Sequence, residues 1–201
     1  MQFSALILAG GQSSRMGQDK ALLSLNGQSL LAHMQQLALA TGACEVLVSR
    51  NQPGFIADQT QQQGPLAGIL AALEHCQSAQ LLVLPIDTPL LTVLSLQRLL
   101  QHAAGIATDS AADSAANKSP ANSAACFANS PLPCVLPVSP ALSAMISAQL
   151  QNGQRSVKAL LAQLNTRILP APTTELLNTN TPQDWQLCLK LLNNGEHYAK
   201  A

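Results

Sequence analysis

The sequence predicts an α/β fold with a mostly parallel central sheet, and three observations carry that prediction. Short apolar runs alternate with amphipathic helical stretches, giving strand, helix, strand, helix, strand across the first half of the chain. The run at 81–84 is continuously aliphatic, the pattern of a parallel strand covered on both faces. The first apolar run stops at paired glycines, which leave it nowhere to continue as a helix. A length of 201 residues suits one domain, here 1–201, better than two independent cores.

The elements can be justified in order. Residues 5–9 form the first buried strand, and the glycine-rich segment follows it. Ser29 is placed as an N-cap, after which Leu30, Leu31, Met34, Leu37 and Ala38 share one helical face and Gly42 ends the helix. Residues 45–49, EVLVS, read as the second strand. In GPLAGILAALEHC, Leu66, Ile69, Leu70 and Leu73 fall at helical spacing behind a first-turn Pro65. The aliphatic strand then leads into Asp87. Residues 103–130 lose all periodicity in a mixture of Ala, Ser, Asn and Asp, and are expected to form a flexible loop or a hairpin insert. Beyond them, SPALSAMISAQL begins with a Ser cap and a first-turn Pro, SVKALLAQL is amphipathic, and RILP is a short strand candidate. NTNTPQDWQLCLKLL starts a last helix with Thr181 as cap and Pro182 in the first turn, and Trp185, Leu187 and Leu191 are expected to face inward. Right-handed crossovers bring the strand C-termini to one edge, where such sheets bind ligands.

Composition excludes several classes of function. Apolar residues make up 47% of the chain but aromatic residues only 2%, so the core is aliphatic and platforms for stacking bases are lacking. Ten basic and ten acidic residues cancel, and no run of like charge occurs, so neither nucleic acid nor an anionic membrane is an expected partner. Five cysteines, an odd number without a C-x-x-C pair, read mostly as buried thiols rather than a disulfide framework. No apolar run reaches the roughly 20 residues of a membrane span, and no secretory leader is visible; a cytoplasmic location is expected.

The chemistry concentrates in LILAGGQSSRMGQDKALL. A glycine-rich loop between a strand and a helix can turn several backbone N–H groups toward phosphate oxygens. Arg15 adds a planar guanidinium and Lys20 a point charge, a combination suited to a triphosphate. The spacing of Gly10, Gly11 and Gly17 matches neither the dinucleotide-binding G-x-G-x-x-G nor the P-loop. A plain glycine-rich turn with solvated Arg15 and Lys20 is the alternative. Asp87, in LPIDTPLL, stands alone after a buried strand. It is placed either to hold Mg²⁺, which takes one or two carboxylates plus substrate phosphates, or to cap a turn before Pro89. His33, His75, His102 and His197 read as structural or solvated.

Four blocks in order, LILAGGQSSRMGQDKALLSLNGQSLLAHM, GPLAGI, DTP and NTNTP, resemble the molybdenum cofactor guanylyltransferases, the MobA family, over most of the chain outside 103–132. The resemblance implies a Rossmann-like, three-layer α/β/α nucleotidyltransferase fold and an Mg²⁺-dependent transfer of GMP from GTP to the terminal phosphate of molybdopterin, with release of pyrophosphate. It implies that Leu8, Ala9, Gly10 and Gly11 meet the nucleotide, that Lys20 with Arg15 binds its phosphates, and that Asp87 is the Mg²⁺ ligand. Asp58 matches an acidic nucleotide contact, and Asn178 and Asn180 match paired asparagines on the pterin side. A monomer is expected, with transient contact to the molybdenum-inserting enzyme. The attacking group is itself a phosphate oxygen, so no side-chain nucleophile is needed.

The chain departs from this pattern at Ser49, where relatives often carry Asn, with Asn51 two positions on. It departs again at PLPCV, which lacks a His before Pro133. The rival enzyme is a molybdenum cofactor cytidylyltransferase, whose first motif usually reads L-A-A-G and which lacks the GPLAG block. A sugar-1-phosphate nucleotidyltransferase is a weaker rival because those chains are usually longer. A non-catalytic nucleotide-binding module is the alternative from another class. Gly11 is expected to let a purine approach the backbone, so that G11A weakens GTP more than CTP.

Overall fold

The computed structural model describes residues 2–10, 19–57, 64–106, 123–172 and 174–198, with 194–198 as backbone alone. A six-stranded sheet runs through the centre. It is formed by β1 (Ser4–Leu8), β4 (Glu45–Ser49), β5 (Gln80–Pro85), β6 (Ala125–Phe127), β7 (Ser130–Pro137) and β8 (Arg167–Leu169), in the order β4-β1-β5-β7-β6-β8. β4 and β5 flank β1 in parallel, β8 runs parallel to β6, and β7 is antiparallel to both of its neighbours. Leu8 pairs with Ser49 on one side and with Pro85 on the other, so the C-terminal ends of the three parallel strands stand level.

Two cores cover the two faces of this sheet. Along β1, Ala5 and Ile7 point into one and Leu6 and Leu8 into the other, and β5 divides likewise between Leu82, Leu84 and Leu81, Val83. The first core packs α1 (Leu30–Thr41), α3 (Val93–Ala103) and the N-terminal part of α6 (Pro182–Tyr198). The second packs α2 (Pro65–Leu73), α4 (Pro140–Gln151) and α5 (Val157–Gln163). The result is the three-layer α/β/α sandwich with a mostly parallel sheet. Because α1 and α2 cover opposite faces, the chain reverses its direction of winding at β1, which opens a crevice beyond the end of that strand.

The predicted caps are present. The Ser29 hydroxyl accepts the Ala32 N–H at 3.1 Å, and Gly42 ends α1 in the left-handed region with φ 106°. Pro65 occupies the first turn of α2, and Ser139 caps α4 ahead of Pro140. Thr181 and Asp184 form a reciprocal cap on α6, each accepting a hydrogen bond from the other's backbone N–H.

Three features differ from expectation. Residues 125–127, expected within a flexible loop or a hairpin insert, form an inner strand of the sheet, paired antiparallel with β7. β7 is a full strand despite three prolines. Pro131 and Pro133 lie ahead of its pairing with β5, which begins at Cys134, and within the irregularity that separates Cys134 from Ser130 in its pairing with β6. On α6 the buried face is Trp185 and Cys188, with Leu189 and Leu192 packed against the core, while Leu187 is 47% exposed. Trp185 thus faces inward as predicted, and beyond it the stripe is displaced by one position, to Cys188 and Leu192 in place of Leu187 and Leu191. A further hairpin, β2 (Ser24–Leu25) and β3 (Gln28–Ser29), turns through Asn26 and Gly27, both at positive φ. No described helix is long and apolar enough to cross a membrane.

Candidate active site

At the level C-terminal edge of β1, β4 and β5 lies a cleft of about 370 Å³. Leu8, Ala9 and Gly10 from the end of β1, Lys20, Asp87 and Asn178 all line it. The backbone beyond β1 is tied sideways, with the Ala9 N–H donating to the Ser49 carbonyl at 3.0 Å and the Ile86 N–H to the Leu8 carbonyl at 3.2 Å. A Cβ on Gly10 would meet the Ser49 carbonyl at 3.7 Å, an ordinary contact, so the packing of the chain alone does not require glycine there. A group that approaches this backbone from the cleft would.

Lys20 begins a short 3-10 turn, Lys20–Leu22, capped by Asp19, whose Oδ1 accepts the Ala21 N–H at 3.0 Å. The Lys20 Nζ donates to Asn180 Oδ1 at 2.7 Å and lies 3.5 Å from Asp87 Oδ2. Asp87 follows β5 closely. Its carboxylate faces Lys20, while the turn after it is closed by the Leu91 N–H to the Thr88 carbonyl. The fully buried Thr179 donates its N–H at 2.8 Å and its hydroxyl at 3.2 Å to the main-chain carbonyl of Asp87. That clamp carries Asn178 and Asn180 to the site from far along the chain. The Asp184 carboxyl behind them is held below the usual carboxylate range, first by the Thr181 hydroxyl and N–H, then by the Asn180 N–H and the charge of Lys20.

Of the residues singled out from sequence, Leu8, Ala9, Gly10, Lys20, Asp87, Asn178 and Asn180 therefore converge on one cleft. Gly11, Arg15 and Asp58 lie outside the described residues. Sequence reasoning missed Asp19, Arg50, Thr179 and the overhang of Ser130, Pro131 and Leu132 on the far wall. Asp19 had a readable signal, a carboxylate at the start of a short helical turn; Arg50 had none. No described residue lining the cleft is a histidine, and His33 instead places its Nε2 3.1 Å from the Pro89 carbonyl, to which it donates.

The donor chemistry suits Mg²⁺. Asp87 offers a hard carboxylate oxygen, the donor type Mg²⁺ prefers, close to the Lys20 ammonium that Asn180 Oδ1 also holds. A metal here would take its remaining ligands from substrate phosphates and water, as Mg²⁺ characteristically does.

A reversed winding point with a cleft at the strand ends is where open α/β sheets of this class bind their ligands, and here Lys20 and Asp87 meet in it. Solved structures share this fold. Molybdopterin-guanine dinucleotide biosynthesis protein A from Archaeoglobus fulgidus superposes with a TM-score of 0.72 at 19% identity, over 96% of this chain and 100% of that one. The 2-C-methyl-D-erythritol 4-phosphate cytidylyltransferase from Thermus thermophilus gives 0.63 at 19% identity, over 95% and 98%. Residues 5–168 match the MobA-like NTP transferase domain, and the chain belongs to that family. Among its relatives, the molybdenum cofactor guanylyltransferase of Xanthomonas euvesicatoria pv. vesicatoria is 32% identical over 91% of this chain and 92% of its own length. That of Shewanella frigidimarina is 31% identical over 92% and 94%.

Proposed function

We propose that this chain is a molybdenum cofactor guanylyltransferase, transferring GMP from GTP to the terminal phosphate of molybdopterin. The observation that carries the reading is the meeting of Lys20, Asp87 and Asn180 at the mouth of the strand-end cleft, in a chain whose relatives with that name match it over nine-tenths of its length. A phosphate oxygen of molybdopterin attacks the α-phosphorus of GTP, the bond from that phosphorus to the bridging α–β oxygen breaks, and pyrophosphate leaves with the electron pair. Leu8, Ala9 and Gly10 offer a backbone edge to the nucleotide, with Gly11 and Asp58 as further contacts.

Lys20, joined by Arg15, neutralises the triphosphate and the growing charge of the leaving group. Asp87 would hold Mg²⁺, which supplies charge neutralisation across the phosphates. Asn180 orients the Lys20 ammonium at 2.7 Å, and Asn178 lines the cleft where the pterin phosphate enters. Since both reacting partners are phosphates, alignment and electrostatics account for the catalysis. We assign the reaction to the cytoplasm and to a monomer, with molybdopterin delivered by the enzyme that inserts molybdenum.

Calorimetry with GTP, CTP and ATP in the presence of Mg²⁺ tests this reading. Selective GTP binding, followed by pyrophosphate release on adding molybdopterin, is the expected result. A preference for CTP would transfer the chain to the cytidylyl branch, and binding without turnover would reduce it to a nucleotide-binding module.

A further inference from the structure

We propose that Arg50 is a positioning residue for nucleotide binding: it neutralises the Asp19 carboxylate and fixes the turn that aims Lys20 into the cleft. Arg50 follows β4 at the same edge of the sheet and is only 6% exposed. Its guanidinium carbon stands 5.6 Å from the centroid of the Phe55 ring, and its Nη2 donates to Asp19 Oδ2. Packing holds the cation, so the carboxylate is located from the Arg50 side. The other oxygen of Asp19 accepts the Ala21 N–H, and the Asp19 carbonyl accepts the Leu22 N–H at 3.1 Å. Lys20, between these bonds, leaves the turn in a set direction.

Charge gives the pair a second consequence. Asp19 and Asp87 line the same cleft, and two bare carboxylates would repel a triphosphate. Asp87 has a use for its charge as a cation ligand. Asp19 serves through the geometry of its cap, and Arg50 cancels the charge left over. The loss of Arg50 therefore uncovers an anion beside the phosphate-binding lysine. That penalty acts on nucleotide affinity and weakens with ionic strength.

The inference rests on Lys20 as a phosphate-binding residue, and the test separates the two. GTP affinity with Mg²⁺, KM and kcat for pyrophosphate release, and Tm are measured for R50M, R50K, D19N, the D19N/R50M double variant and K20A. R50M is expected to weaken GTP binding by about tenfold, the scale of one charge-assisted hydrogen bond, and to raise KM more than it lowers kcat. High salt should shrink that loss. D19N/R50M should recover the part of the affinity owed to the uncovered charge and not the part owed to the unanchored turn, and R50K should fall between wild type and R50M, since an ammonium lacks the planar fork.

Wild-type affinity in R50M, or a double variant as weak as R50M, would overturn the proposal. Should R50M fail to fold, the neutral but polar R50Q against D19N/R50Q makes the same comparison. If K20A binds GTP as well as wild type does, the reading of the cleft itself fails. If K20A is weak and R50M is not, only the role of Arg50 fails.

Discussion

Replacing Lys20 with methionine keeps the aliphatic stem and removes the one ammonium shared by Asn180 and Asp87. GTP binding should fall by about tenfold or more in calorimetry, since a charged hydrogen-bond donor to phosphate is lost. D87N retains shape and changes charge, so its signature is different: GTP binding loses its dependence on added Mg²⁺. A second residue-level expectation concerns thiols. Burial raises Cys126, pushes Cys134 well above the ordinary thiol range and lifts Cys188 to about 11. Alkylation at neutral pH should label the exposed Cys44 and then Cys76, leaving the other three until the protein unfolds.

A thiol raised by folding adds stability fully present below its unfolded value. For Cys188 that stability is lost as pH climbs from the ordinary value of 9.0 toward about 11, and C188A should lessen the alkaline fall in Tm. Lys20 and Asp87 were legible in the sequence because each breaks a local pattern, a cation closing a glycine loop and a lone carboxylate ending an aliphatic run. The bond between Lys20 and Asn180 was not, because the two are 160 residues apart. Nor was the Asp19–Arg50 pair, since an Asp beside a Lys and an Arg after a strand both read as ordinary surface charges.

Elements whose boundaries rest on backbone chemistry were the most legible. Ser29 and Gly42, Pro65, Ser139 with Pro140, and Thr181 with Pro182 mark their helices as the sequence predicts, because capping is decided within one turn. Strands β6 and β7 were not legible for the opposite reason: three residues carry no period, and prolines argue against a strand unless one knows that Pro131 and Pro133 fall where its ladder is irregular. Asn26-Gly27 carried a readable hairpin signal that went unused.

At the α2 contact, a Cβ on Gly68 would stand 2.4 Å from Ser49 Oγ, 3.1 Å from Ser49 Cβ and 3.2 Å from Leu8 Cδ2. G68A should therefore cost about 1–3 kcal/mol in denaturant unfolding by forcing α2 away from the ends of β1 and β4. At α6, the lowered Asp184 carboxyl adds stability present above its unfolded value and lost as pH falls through its lower folded value. D184N should reduce Tm at neutral pH, and the difference should close in acid below the ordinary carboxylate range.

At the scale of the whole molecule, a single sheet separates two aliphatic cores, and the ends of its three parallel strands β1, β4 and β5 open on one side. The fold class was legible because alternating strands and helices allow few arrangements. The position of the second half of the sheet was not, since nothing local says that β7 runs against β5. Ligand binding should couple to this architecture. GTP at about 100 times its Kd stabilises the native state by about 2.7 kcal/mol, so Tm should rise with nucleotide in wild type and much less in D87N. The Thr179 clamp on Asp87 bears on synthesis as well as on binding. A chain emerging from the ribosome can pair β1, β4 and β5 and display Lys20 early, yet the asparagine that steadies this lysine is made 160 residues later. A nascent chain stalled before residue 178 would thus carry the sheet edge without its clasp, and on the function proposed here it should not yet retain nucleotide.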